Sequence, residues 1–136
     1  MNRTLGLACV AALGAFVLSA PVAGHHSFAA AYNMQDPITI KGKIVNVRMT
    51  NPHAYFFLDV DGENGEVIRW SFEAGTPSGM IRNGYSPQVI KAGDVVTISG
   101  FRAKDATKPN GMLAELVVAD GTVYGMFGPR EGPAAR

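Results

Sequence analysis

The sequence contains 136 residues, with 12 Lys and Arg against 11 Asp and Glu, and its formal net charge is +1. A chain of this length forms one domain that can bury a single modest core. The charge balance argues against a broad phosphate-binding surface, which needs clustered basic residues, and no nucleophile elbow, phosphate loop or paired-cysteine motif indicates an enzyme.

Residues 1–24 are typical of a cleaved secretory signal peptide. Arg3 precedes an uncharged apolar run at residues 5–20, and small residues follow. The run is shorter than the roughly 20 residues of a membrane-spanning helix, and no basic stop-transfer cluster follows it. Cys9 lies inside the run rather than after it, which argues against a lipoprotein. We therefore expect export to the periplasm or the medium, with no stable membrane anchor after cleavage.

The expected mature N-terminus is a candidate metal ligand. Small residues before the cut favour cleavage after Gly24, which makes His25 the first residue, followed by His26. The amine and the ring of His25 could then chelate one metal ion. Cleavage after Ala23 would instead offer the amine, two backbone amides and the His26 ring. Nitrogen-rich sets of this kind select Cu(II) or Ni(II); the alternative is a mobile terminus that binds metal adventitiously.

The remaining residues divide into a lead-in, a β-rich body and a tail. Residues 25–37 form the lead-in, with Phe28 and Tyr32 as its anchors and a turn at Asp36-Pro37. Alternating apolar residues predict strands at residues 38–49, 54–60 and 66–74. Thr76 as a cap and Pro77 as the first helical residue predict a short helix. Further strands follow up to residue 125, and residues 126–136 are predicted to be disordered.

This order of elements predicts an all-β fold. Three meandering strands, a short helix between strands three and four, and two or three further strands are typical of an oligonucleotide/oligosaccharide-binding (OB) barrel. Residues 38–125 are therefore expected to form a small OB-like β-barrel of five to six strands. Another small open barrel or a sandwich is the alternative.

The ligand surface of such a barrel is usually formed by strands two and three and the adjoining loops. His53 falls in the first of these loops, where it could supply a metal-binding imidazole or simply belong to a rigid Asn-Pro-His turn. Tyr55 and Phe57 share one face of the second strand and could stack on a ligand. Arg69 lies on one face of the third strand with Glu73, which is typical of a surface ion pair of little energetic value. If this face of the barrel binds a ligand instead, the candidate ligand-binding residues are Tyr55, Phe57 and Arg69.

Several motifs together resemble a known family. "HHSFAAAYN", "TNPHAYFFLDV", "WSFEAGTPSGMIRNGYS" and "KAGDVVTISGFRAKD" are similar to a family of small exported bacterial proteins known only as domain of unknown function 6152. The resemblance implies a periplasmic, OB-like single domain and implies no activity. His25, His26 and His53 match the histidines of the family, whereas Thr50 stands where the family has an aromatic residue.

Two functions follow from these features. The first is a small periplasmic protein that binds copper through His25, His26 and His53. The alternative is an OB-like module that binds a small ligand or a periplasmic protein without metal. An oxidative copper enzyme would also need an open coordination position and a substrate surface, and the sequence shows neither. The charge balance and the predicted export argue against a nucleic-acid partner.

Overall fold

The computed structural model describes residues 28–126. These residues form two short helices and six strands, which we number in chain order. The elements are α1 (Phe28–Ala31), β1 (Tyr32–Met49), β2 (Ala54–Asp61), β3 (Val67–Glu73), α2 (Pro77–Arg82), β4 (Val95–Ala103), β5 (Asn110–Val117) and β6 (Val123–Gly125).

The strands form one sheet that closes on itself. Strand β1 pairs antiparallel with β2 on one side and with β4 on the other, β2 pairs with β3, and β4 pairs with β5. Parallel pairing of β3 with β5, from Ser71 opposite Asn110 to Glu73 opposite Met112, closes the ring. Strand β6 pairs antiparallel with the end of β5. The prediction of a small all-β, OB-like barrel with a helix between strands three and four is confirmed.

The alternating pattern of β2 determines which side chains face the core. Phe56 and Leu58 point inward and are fully buried, whereas Tyr55 and Phe57 lie on the outer face and are half-buried. This is the period of two that a pleated strand imposes. Inward-facing Phe72 of β3 is also fully buried, so the outer faces of β2 and β3 remain available for other contacts.

Helix α2 begins where the sequence indicates. Thr76 has an extended backbone, and its Oγ1 accepts a hydrogen bond from the Gly79 N–H at 3.1 Å. This bond satisfies one of the backbone donors that lack a partner in the first turn of a helix. Gly84 follows the helix with φ of 93°, a conformation that glycine adopts without steric cost. Met80 is the buried residue of the helix and packs into the hydrophobic core.

The lead-in differs from its predicted form because its last part belongs to the sheet. Strand β1 begins at Tyr32 rather than at Ile38, with an irregularity in its pairing to β4 between Tyr32 and Pro37. Tyr32 is buried in a second apolar cluster with Met112 and Met126. This packing holds the start of β1 against the barrel, a tertiary effect that the Asp-Pro turn signal does not show.

The two ends of the chain lie outside the described residues. The predicted signal peptide at residues 1–24 and the histidines at positions 25 and 26 are among them, as is most of the predicted tail. Met126, the first residue of that tail, is described: it is buried, and its N–H donates to the Ala114 carbonyl at 2.9 Å. Within residues 28–126, no helix is both long enough and apolar enough to cross a bilayer.

Candidate functional site

His53 is held at the start of β2 by the turn that precedes it. The Asn51–Pro52 peptide bond is cis, and His53 directly precedes Ala54, the first residue of the strand. The Ala54 N–H donates to the Gly75 carbonyl at 2.9 Å, which ties this end of β2 to the end of β3. The side chain of His53 is 26% exposed, so the imidazole is both supported by the protein and accessible.

Glu73 joins His53 to the lead-in. It stands on the outer face at the end of β3, opposite Tyr55 of β2. Its Oε2 accepts a hydrogen bond from the Tyr32 hydroxyl at 2.5 Å, and its Oε1 contacts Nδ1 of His53 in a short hydrogen bond. An ionised carboxylate only accepts hydrogen bonds, so the proton between the two side chains belongs to Nδ1. The other ring nitrogen, Nε2, has no hydrogen-bond partner among the described residues.

The surroundings of Glu73 keep both nearby phenols protonated. Burial raises the pKa of Tyr32 above its ordinary value, and the hydrogen bond to Glu73 and the carboxylate charge raise it further. Burial also raises the pKa of Tyr55, with a contribution from the negative charge of Glu73. Tyr32 is therefore a permanent hydrogen-bond donor to Glu73 at neutral pH, which fixes the orientation of the carboxylate toward His53.

A pocket of about 500 Å³, which we call the His53 pocket, opens beside these side chains. Its size lies in the range of about 300–1,000 Å³ that is usual for small-molecule sites. His53 and Glu73 supply an imidazole and a carboxylate to its lining. The remaining lining is alanine, proline and aromatic side chains, from Phe28, Ala30, Ala31, Tyr32, Pro52 and Tyr55.

The ring of Phe28 covers one side of His53. The two ring centroids are 5.4 Å apart, and the planes are inclined by 24°. Phe28 also contacts Tyr32, with centroids 6.1 Å apart. Helix α1 thus lies over the turn that carries His53, and its first residue, Phe28, lines the His53 pocket.

The predicted ligand-binding residues divide between two places on the outer face. Tyr55 lines the His53 pocket, and its ring centroid is 6.5 Å from that of Phe57. Arg69 lies further along β3, opposite Asp59, and forms two hydrogen bonds with this carboxylate at 2.7 and 3.0 Å. The guanidinium over Tyr55 and Phe57 is that of Arg48 instead.

The roles of Glu73 and Arg48 are not evident from the sequence. The pattern showed Glu73 on the same face as Arg69 and suggested a surface pair, whereas Glu73 bonds to Tyr32 and His53. Arg48 belongs to β1 and meets Tyr55 through the pairing of β1 with β2. The one sequence signal for this site is the pair Phe28 and Tyr32, which are predicted to anchor the lead-in and which line the His53 pocket.

Replacement of Tyr32 by Phe is expected to lower the free energy of unfolding by about 1.5–3 kcal/mol, the usual contribution of a hydrogen bond to a charged group. Tyr124→Phe is the matched control, because the Tyr124 hydroxyl has no hydrogen bond among residues 28–126. Urea unfolding followed by fluorescence of Trp70, the single tryptophan, measures both variants. Equal stabilities of the two variants would contradict the role given to the Tyr32–Glu73 bond.

A family model matches the chain, and it is that of the family that the sequence motifs resemble. The model of a family described as a family of unknown function, DUF6152, matches residues 14–112, which is more than half of the chain. No curated protein matches the chain.

Proposed function

Because the chain belongs to the DUF6152 family, whose function is unknown, we propose a function from its own residues: it is a small exported protein that binds a copper ion through His53 and its mature N-terminus. The observation that carries the proposal is the pairing of His53 with Glu73. The proposed ligands are the amine and ring of His25, the ring of His26 and Nε2 of His53. Their nitrogen chemistry is the kind that selects Cu(II) among first-row ions.

The hydrogen bonding of His53 supports a role as a metal ligand. Metal-binding histidines usually donate the N–H of the second ring nitrogen to a carboxylate, a carbonyl or a water, which sets the tautomer and the orientation of the ring. Here Nδ1 donates to Glu73, and Tyr32 in turn holds Glu73. Nε2 is the ring nitrogen that remains for a metal, on an imidazole that is held in place by Glu73 and partly exposed.

The covalent chain brings the other two histidines within reach. His25 lies three residues before Phe28 in the sequence, so their Cα atoms are at most about 11 Å apart in any conformation. The ring of Phe28 stacks on His53 at 5.4 Å. A mature chain that begins at His25 can therefore place its amine and imidazole beside Nε2 of His53 without any change in the barrel.

The described part of the protein contributes only one imidazole to this site. Within residues 28–126, no three His, Cys, Asp or Glu side chains are grouped as metal ligands. The metal site proposed here thus depends on the N-terminal residues, and cleavage of the signal peptide would create it by releasing the amine of His25. A binding role, such as delivery or sequestration of copper in the periplasm, requires nothing beyond this site.

The test uses the protein expressed with its own signal and isolated from the periplasm. An intact mass should correspond to a chain that begins at His25 or Gly24. Titration with Cu(II) should then show one tight site, with nitrogen hyperfine structure in the electron paramagnetic resonance spectrum. A synthetic peptide with the sequence of the mature N-terminus is the control, because it carries the amine, His25 and His26 without His53.

Two results would overturn the proposal. One is a mature chain that begins elsewhere, which would leave no amine beside the histidines. The other is copper affinity no greater than that of the peptide, which would show that the folded domain adds no ligand. Either result would favour the second candidate, a ligand-binding module without metal, which the His53 pocket and the outer face at Tyr55 and Phe57 support.

A further inference from the structure

We propose that Arg48 binds the carboxylate of a small organic acid whose apolar part occupies the His53 pocket. This binding would use the His53 pocket and the outer face of β1 and β2, and it would need no copper.

Arg48 is a cation that the protein holds in place without neutralising it. Its Cζ lies 4.9 Å from the ring centroid of Tyr55 and 5.6 Å from that of Phe57. Among the described residues it has no carboxylate partner, whereas Arg69 pairs with Asp59 and Arg102 pairs with Asp36. The side chain is exposed. Its N–H donors are therefore free for a ligand.

The two aromatic rings give this guanidinium an orientation that an ordinary surface arginine lacks. Guanidinium groups stack on aromatic faces, and stacking leaves the N–H groups at the edge of the plane free to donate. A side chain already held in this way loses less conformational freedom when a ligand binds. The fork of N–H donors matches the two oxygens of a carboxylate.

Tyr55 lies between Arg48 and the pocket: Arg48 faces it from β1 and the pocket residue Glu73 faces it from β3. The ring of Tyr55 lies under the guanidinium and also lines the His53 pocket. Arg48 and Tyr55 are direct partners in the pairing of β1 with β2, so the contact is built on the sheet rather than on a loop. A ligand that fills the pocket and extends past Tyr55 meets the guanidinium.

The lining of the pocket indicates the class of ligand. Most of its wall is alanine, proline and aromatic carbon, which suits an apolar or aromatic body. The carboxylate of Glu73 already accepts hydrogen bonds from Tyr32 and His53 and adds a negative charge to the pocket. One unpaired cation beside this charge suits a monoanion better than a phosphate dianion, which usually needs several basic groups. The ligand is therefore a monocarboxylic acid.

The test is a titration of the ¹⁵N-labelled protein, expressed from its full coding sequence, with phenylacetate and no added metal. We expect saturable shifts of the Arg48 Nε–H and of the backbone amides of Tyr55 and Phe57. Benzyl alcohol supplies an aromatic body without the charge, and inorganic phosphate supplies charge without the body. Both should bind at least about tenfold more weakly, since a charge-assisted pair to the guanidinium would be absent or poorly matched.

Arg48→Gln should weaken phenylacetate binding by about tenfold or more. Lys41→Gln is the matched control: it removes one exposed positive charge from the same strand, and Lys41 lines a different cavity. Unshifted amides elsewhere in the spectrum would show that each variant is folded. The proposal is overturned if phenylacetate produces no saturable shift, if the two variants bind it equally, or if benzyl alcohol or phosphate binds as tightly.

Discussion

Replacement of His53 by alanine is expected to lower the Cu(II) affinity of the mature protein by more than about 100-fold. Loss of a metal ligand should exceed the 10–100-fold loss that follows removal of an outer-shell partner. The remaining affinity should equal that of the N-terminal peptide alone, because only the amine, His25 and His26 would still bind. Competition titration against a chelator of known affinity, together with the nitrogen hyperfine pattern, measures both effects.

Glu73→Gln tests the residue that positions His53, whereas His53→Ala tests the proposed copper ligand itself. The amide keeps the size of the side chain but loses the charge that holds the proton on Nδ1, so we expect a smaller loss of Cu(II) affinity, of about 10–100-fold. Glu63→Gln is the control, since Glu63 is exposed in the turn between β2 and β3.

If His53→Ala bound copper as tightly as the unchanged protein, His53 would not be a ligand and the metal site would be confined to the N-terminus.

Replacement of Gly100 by alanine is expected to lower the free energy of unfolding by about 3 kcal/mol or more. A Cβ atom on Gly100 would lie 1.7 Å from the carbonyl oxygen of Met112 and 2.9 Å from its carbonyl carbon. These atoms belong to the backbone of β5, and the pairing of β4 with β5 is already irregular between Ser99 and Gly100. Overpacking usually costs about 1–3 kcal/mol, and here a strand rather than a side chain would have to move.

Gly75→Ala is the matched control for this substitution. A Cβ at Gly75 would come no closer than 3.4 Å to any atom, which is ordinary contact. The free energy of unfolding of the Gly75→Ala variant should differ from that of the unchanged protein by less than about 1 kcal/mol. Alanine reduces the freedom of the unfolded chain, which acts to raise stability. Urea unfolding followed by Trp70 fluorescence compares the two variants. Equal stabilities would show that β4 and β5 separate at Gly100 at little cost.

Local patterns determined the elements of this protein. The period of two in β2 placed Phe56 inside and Tyr55 and Phe57 outside, and the structure agrees. Thr76 and Pro77 located the start of α2, because capping and the fixed φ of proline act within one turn of chain. The order of these elements predicted the all-β, OB-like fold class, with another small barrel or a sandwich as the alternative.

The candidate site was decided by tertiary structure. Glu73 meets Tyr32 across 41 positions of sequence and His53 across 20, and neither contact has a periodic signature. The pairing register of β1 with β2 brought Arg48, and not Arg69, over Tyr55 and Phe57. The sequence by itself determined which residues face outward and which type of chemistry they carry. Only the closure of the sheet decided which of them touch, because strand register is a property of two distant segments and not of either one.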